Sequence, residues 1–314
     1  MTKHKSVLLK ETIRNLSIIG TGAYVDLTLG GGGHSLAILN ELQKGATLVV
    51  FDLDMRAIEN FVDLINVVGT DNIKNEVKES KQATAEKNGV NIIIVNRNFN
   101  ELEDVLSSAK IDKVDGIIAD LGWSSDQLGG IEGLSYMNLN EELDMRFNKS
   151  DGLKAKDLLN AFGKNELKKM FERYADLRGN QNEIIVNEII KRREKNSFEK
   201  VGELTAIVEE NSINLHVRNV NQMHSRVFQS LRIAVNNEIE NLRLMLESSL
   251  RTMNENAKLE IITFHSTEEK VVKNFVEENK LNLTGGDNGY ISPLVEELLI
   301  NKRARSAKLW VINK

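Results

Sequence analysis

Along the first third of the chain, short β-branched runs alternate with longer stretches whose apolar residues recur every three or four positions. That alternation predicts β-α-β units and a parallel sheet with helices on both faces. Residues 24–29 read as the first strand, the four glycines 30–33 as a turn, and residues 35–42 as the next helix, with Leu36, Ile38, Leu39 and Leu42 apolar. Further strands are expected at 47–51, 91–95 and 114–121, and helices from Asp54 to about Asn66 and over 99–109, where Asn98 or Asn100 supplies the cap. Residues 69–91 are polar and lysine-rich with no clear period, which predicts a solvated insertion.

From about Gly129 to Asn221 the strand signal disappears. Helices are predicted at 154–162, 166–174, 183–193 and 203–211, each with apolar residues three and four apart, as in Leu167, Met170, Phe171 and Tyr174. A long helix over 226–250 then carries the stripe Phe228, Leu231, Val235, Ile239, Leu242, Leu246, Leu250, followed by a strand at 259–264, a helix at 268–278 and a last strand at 308–312. The expected fold class is α/β: a Rossmann-like doubly wound sheet built from residues 1–128 and 222–314, with an all-helical domain inserted at 129–221.

Composition narrows the chemistry more than the fold. At 314 residues and 41% hydrophobic content, the chain can bury a large core, which excludes disorder and small stapled scaffolds. The 41 Lys and Arg against 46 Asp and Glu leave a net charge of −5, so a nucleic acid partner has to be met by local basic patches. The absence of cysteine removes disulfides, zinc-thiolate sites, iron-sulfur clusters and every mechanism built on a thiolate. No apolar run approaches the roughly 18 residues of a membrane span, and no apolar signal core follows Met1 to Ser6, so a cytoplasmic protein without membrane contact is expected.

The segment Asp26-Leu27-Thr28-Leu29-Gly30-Gly31-Gly32-Gly33-His34 falls where the first strand meets its helix, the place where open α/β sheets bind nucleotides. The dinucleotide pattern G-x-G-x-x-G fails here, because Gly30 and Gly32 lead to Ser35, and Gly31 and Gly33 lead to Leu36. An acidic strand end followed by G-x-G suits S-adenosylmethionine instead, which has no pyrophosphate to cradle; a glycine turn without a ligand is the bland alternative. Asp52 ends the second strand 20 residues after Gly32, at the spacing where a carboxylate accepts from two ribose hydroxyls, while Asp54 fits a helix cap equally well. Phe99 either covers an adenine or belongs to the core of the next helix.

The fourth strand runs into Asp120-Leu121-Gly122-Trp123-Ser124-Ser125-Asp126-Gln127. An exocyclic amine conjugated to a base is a poor nucleophile and needs an acceptor on its N–H and a stacking surface on its ring. Asp120 and Trp123 supply both types; a strand-end Asp beside a core Trp is the plainer reading, and Asp120 alternatively serves only the cofactor. Basic clusters stand at Lys191-Arg192-Arg193 with Lys195, which also suit a helix C-terminus, and at Lys302-Arg303-Ala304-Arg305 with Lys308. Arg303, Arg305 and Lys308 are the expected RNA contacts.

With these residues in place the chain resembles the RsmH (MraW) family, bacterial methyltransferases of the N4 amine of cytosine 1402 in the decoding centre of 16S ribosomal RNA. The likeness is carried by HKSVLLKE (4–11), TLGGGGHS (28–35), Asp52-Leu53-Asp54, Asn98-Phe99, DGIIADLGWSSDQ (115–127), LDMR (143–146), FQSLRI (228–233), Phe264-His265-Ser266 and RARSAKL (303–309). It implies a class I S-adenosylmethionine-dependent fold and cofactor contacts at Gly32, Gly33, His34, Asp52, Phe99, Asp120 and Gln127. It also implies a partner, the 16S RNA within the small ribosomal subunit or a late assembly intermediate. The chain departs from the family's R-G-F-S-F at Glu132-Gly133-Leu134-Ser135-Tyr136 and from its His-Pro-Ala-Thr-Arg at Gln222-Met223-His224-Ser225-Arg226, stretches expected to face the RNA. A methyltransferase for another nucleic acid or a small molecule is the alternative, and a noncatalytic RNA-binding protein is disfavoured by the retention of Gly32, Asp52 and Asp120. The missing thiol favours N4 over C5 of cytosine, because C5 becomes nucleophilic only after a thiolate adds to the ring.

Overall fold

The computed structural model describes residues 5–122, 131–149, 152–216, 219–285 and 288–314. Its strands are β1 (Ala23–Asp26), β2 (Thr47–Phe51), β3 (Gln82–Lys87), β4 (Val90–Val95), β5 (Val114–Asp120), β6 (Met253–Thr263), β7 (Asn282–Thr284) and β8 (Lys308–Asn313). They form one sheet in the order β3-β4-β2-β1-β5-β6-β8-β7. β4, β2, β1, β5 and β6 are mutually parallel, and β3 and β8 pair antiparallel to their neighbours. The strand order reverses between β1 and β5, so the crevice beyond their carboxyl ends is the switch point where ligands bind in such sheets.

The expected doubly wound architecture is present, and the strand sequences account for it. Runs such as Leu48–Phe51 are buried throughout because both faces are covered. On one face Val25, Val49, Ile93, Ile117, Leu259 and Ile261 pack with Leu242, Met245 and Phe275. On the other, Tyr24, Leu48, Val50, Ile92 and Ile118 pack with Ile38, Ile58, Phe61 and Ile65. Helices covering the sheet include α1 (Leu9–Leu16), α2 (Gly33–Glu41), α3 (Met55–Ile65), α4 (Thr70–Ser80) and α5 (Leu102–Ser108).

The chain divides into two compact units, one comprising Met1–Ser124 with Ile239–Lys314 and the other Ser125–Glu238. Within the second, α6 (Ala155–Ala161), α7 (Lys164–Ala175), α8 (Gly179–Arg193), α9 (Val201–Glu210) and α10 (Val220–Val235) enclose a core that includes Leu167, Phe171, Ile185, Ile189, Leu204, Ile207, Val227 and Leu231. The first unit resumes with α11 (Glu238–Thr252), α12 (Ser266–Glu278) and the short α13 (Val295–Ile300).

Two expectations are corrected. Residues 69–91 are ordered as α4 and β3. Ile73 and Val77 bury one face of the helix, Ala83 and Ala85 one face of the strand, and Asn88-Gly89, both at positive φ, turn the chain into β4. The single long helix at 226–250 is two, broken at Asn237, whose φ of 50° is a left-handed conformation that Asn tolerates. Asn236 reinforces the break: its amide nitrogen donates to the Arg232 and Met145 carbonyls and its oxygen accepts from Phe147 N.

Glu260 lies on β6 between Ile118 of β5 and Val311 of β8, fully buried, with neither carboxylate oxygen hydrogen-bonded. Burial holds its pKa well above the ordinary 4.5, although Lys258 pulls it down. The folded state keeps this proton at pH values where the unfolded chain releases it, so stability is lost as pH rises from 4.5 toward the folded value. Glu260→Gln, which cannot ionise, is expected to gain melting temperature relative to the wild type as pH is raised above the ordinary 4.5. A melting-temperature difference that stays constant as pH is raised would show that the carboxyl does not hold its proton.

Candidate active site

The site begins with Asp26, the buried last residue of β1. Its carboxylate accepts from Thr28 N at 3.0 Å and from Ser35 Oγ at 2.6 Å, clamping the strand end to the first turn of α2. The glycine turn is pinned between those two bonds. Gly30 (φ 49°) and Gly32 (φ 77°) adopt the left-handed conformations that glycine reaches without strain. Among the described residues, a Cβ added at Gly30 would meet only the Thr28 carbonyl, at 3.9 Å. At Gly33, by contrast, the Ser6 side chain occupies the place a Cβ would need. Burial raises the Asp26 pKa, opposed by His34, Ser35 and Thr28, and burial lowers that of His34. The neutral His34 ring places Nε2 3.1 Å from the Val7 carbonyl, which assigns the ring proton to Nε2.

Asp52 follows β2 directly. Its Oδ2 accepts from Gly30 N at 2.7 Å and its Oδ1 from Asp54 N at 2.8 Å. A carboxylate offers about four acceptor sites, so two remain for a pair of hydroxyls. Burial pushes the Asp52 pKa up to about 7, against the lowering effect of the two backbone bonds. Asn96, unmarked in the sequence, donates to the carbonyls of Asp52 and Leu53 and fixes the strand end. Asp54 instead caps α3 through Arg56 N. Phe99 opens a 3-10 turn capped by Asn98 and packs half-buried against the sheet core.

Asp120 ends β5, and its backbone N donates to Thr28 Oγ1 at 2.6 Å, which locks the β5 end to the glycine turn. Beside it lies Arg303, with Nη1 3.8 Å from Asp120 Oδ2 and the guanidinium carbon 4.9 Å from the centre of the Phe264 ring. Three carboxylates, Asp26, Asp52 and Asp120, thus stand at the ends of three adjacent strands.

The structure brings Gly32, Gly33, His34, Asp52 and Asp120 together around the switch point; Trp123 and Gln127 lie outside the described residues. Of the expected RNA contacts, only Arg305 is exposed. Arg303 points inward to Asp120, and Lys308 pairs with Glu269 at 2.7 Å and lies over the Tyr290 ring. The Lys191-Arg192-Arg193 cluster is engaged locally: Lys191 and Arg192 pair with Glu188 and Glu210, and Arg193 donates to the Leu159 and Phe162 carbonyls at the end of α6. Within the segment 222–226, Gln222 and Ser225 are exposed. His224 is buried within the helical unit, and Arg226 closes α7 by donating to the Ala175 and Asp176 carbonyls.

Comparisons with known proteins agree over the full length. The sequence model of the MraW methylase family matches residues 1–314. Among similar proteins, the ribosomal RNA small subunit methyltransferase H of Clostridium botulinum (strain Kyoto / Type A2) is 37% identical over 330 aligned residues, covering 99% of each chain. The protein of the same name from Caldicellulosiruptor saccharolyticus is 35% identical over 332, covering 100% of each. That from Dictyoglomus thermophilum is 32% identical over 309, covering 98% of this chain and 95% of its own.

The open face of Gly30 and the two remaining acceptor sites of Asp52 fit the methionine and ribose parts of S-adenosylmethionine. Losing charged hydrogen bonds worth roughly 1.5 to 3 kcal/mol each, Asp52→Ala is expected to bind it at least tenfold more weakly by calorimetry. Hydroxyls donate best to the ionised carboxylate, so wild-type affinity should fall as pH drops through about 7. Asp52→Asn should lack this part of the pH dependence. Equal pH profiles for the two proteins would remove Asp52 from the ribose contact.

Proposed function

The chain belongs to the MraW methylase family, and on that premise we propose that it transfers the methyl group of S-adenosylmethionine to the exocyclic N4 of a cytosine in 16S ribosomal RNA, by family that at position 1402. The substrate is the decoding centre of the small ribosomal subunit or of a late assembly intermediate, which places the enzyme in the cytoplasm. Among the described residues no helix is long and apolar enough to cross a membrane.

The observation that carries this reading is the bond from Asp120 N to Thr28 Oγ1, which sets a strand-end carboxylate beside the glycine turn. Gly32, Gly33 and the backbone at His34 line the methionine end, Asp52 takes the ribose hydroxyls, and Phe99 and Gln127 complete the cofactor contacts. Bound there, S-adenosylmethionine supplies an electrophilic methyl group on a sulfonium. Asp120 accepts from the N4 hydrogen and orients the amine, whose nitrogen forms the new bond to carbon as the carbon–sulfur bond breaks with its electron pair on sulfur. The surplus N4 proton leaves through Asp120 to water. The acidic strand ends favour the cationic cofactor over its neutral thioether product, which assists release.

Exposed Arg305, with Lys302 beside it, offers phosphates a basic surface next to Arg303 in this chain of net charge −5. Lys302→Ala with Arg305→Ala is expected to weaken subunit binding and flatten its salt dependence, since each phosphate contact contributes about 0.7 to 0.9 to the logarithmic slope. An unchanged slope would make these side chains bystanders.

The reaction itself is tested by incubating small subunits that lack the modification with the enzyme and tritiated cofactor, then digesting the RNA. Mass spectrometry against authentic standards should find N4-methylcytidine. Finding 5-methylcytidine, methyladenosine or a methylated ribose would sink the assignment.

A further inference from the structure

We propose that Arg303 reads the target base, donating to the N3 and O2 acceptors of cytosine while Asp120 accepts from N4. The inference rests on the cytosine-N4 reading above and adds to it the residue that selects the base.

The residues around Asp120 give the guanidinium a fixed plane. Arg303 sits in the short 3-10 segment Lys302–Ser306, between α13 and β8, and its side chain is only 21% exposed. Phe264, which follows β6, lies under the guanidinium at 4.9 Å, well within the range of a cation–π contact. The same ring lies 3.5 Å from where a Cβ on Gly122 would stand, so the cation rests directly beside the loop leaving β5. One nitrogen of the guanidinium is 3.8 Å from the Asp120 carboxylate. An acceptor and a planar set of donors therefore stand side by side at one end of the sheet.

That pairing matches one edge of one base. Cytosine presents a donor at N4, then acceptors at N3 and O2. Uracil inverts the first two. Adenine offers a donor at N6 and an acceptor at N1, but has only C–H where cytosine has O2. A guanidinium carries five N–H donors in a plane, enough to serve a carboxylate and two base acceptors together, which an ammonium does not do. A flipped base is read along this edge. A phosphate-binding arginine has no need of a partly buried aromatic platform or of a carboxylate neighbour, which would repel the phosphate.

The test uses the full chain and small subunits with either cytosine or adenosine at the target position. Arg303→Met keeps packing over Phe264 but has no donors, and Arg303→Lys keeps the charge. The wild type should methylate cytosine far faster than adenosine. Both variants should lose at least tenfold of that preference, in line with the discrimination of a bidentate pair, with retained cofactor binding showing that the site stays folded. Equal losses on both bases would mean that Arg303 only positions Asp120. Retained preference with a smaller salt slope would mean a phosphate contact. Either result overturns the proposal. A wild-type enzyme that leaves N4 unmodified overturns the parent function as well, and that outcome is distinct because it requires no variant.

Discussion

A buried carboxylate at the end of β1 is the constraint from which the rest of the site follows. Asp26 is desolvated, and an ionised group in that environment is tolerated only when donors surround it. The donors available are Thr28 N and Ser35 Oγ, and satisfying both forces the chain between them into a tight loop. Left-handed conformations at Gly30 and Gly32 are how the backbone meets that demand. Once the loop is set, Gly30 N points at Asp52 and Thr28 Oγ1 receives Asp120 N. The strand ends are thus tied to one another through the loop: backbone N–H groups hold the Asp26 and Asp52 carboxylates, and the Asp120 backbone is fixed to Thr28.

Much of this was legible in the sequence because parallel strands buried on both faces write themselves as uninterrupted apolar runs. The glycine turn, Asp52 and Asp120 were visible as departures from such runs at their ends. What was hidden has physical causes. In β3 the inward residues are Ala83 and Ala85, too small to produce a strong alternation, and the clearer signal was the Asn88-Gly89 turn that closes the hairpin. The break near Asn237 was masked because the apolar stripe continues in register across it, its first half packing in the helical unit and its second in the sheet unit. Arg303 reads as one cation in a basic run, and nothing in the run reveals that its side chain turns toward Asp120 while that of Arg305 remains exposed. Burial of His224 and the inward bonds of Arg226 were equally unreadable, since polar side chains in a helix give no sign of which carbonyls they will meet.

The electrostatic design separates two tasks that an acidic chain has to reconcile. Carboxylates gathered at the strand ends suit a cationic cofactor and an amine donor, whereas a polyanionic RNA has to be approached elsewhere. Many of the basic residues are spent on internal pairs: Arg146 with Asp144, Arg232 with Glu238, Arg251 with Glu103 and Lys308 with Glu269. Such pairs contribute little stability where exposed, and the net charge of −5 denies the chain a long-range positive field. An RNA substrate is therefore met by local contacts more than by long-range steering.

The two ends of the sequence meet at the site, and this explains why motifs some 300 residues apart accompany the central ones. Ser6 fills the space against Gly33, and the Val7 carbonyl accepts from His34. Leu8 N donates to Glu297 at 3.0 Å, and Asn301 Nδ2 to the Lys5 carbonyl at 3.1 Å. The N-terminal strap therefore bridges the glycine turn to the segment that carries Arg303. Its own backbone groups are satisfied only if both neighbours are in place, so the glycine loop and the segment carrying Arg303 are positioned by a shared set of hydrogen bonds. His34 contributes to that bridge through its ring and can line the cofactor site only through its backbone, which accounts for a histidine in a glycine turn without assigning it any proton transfer.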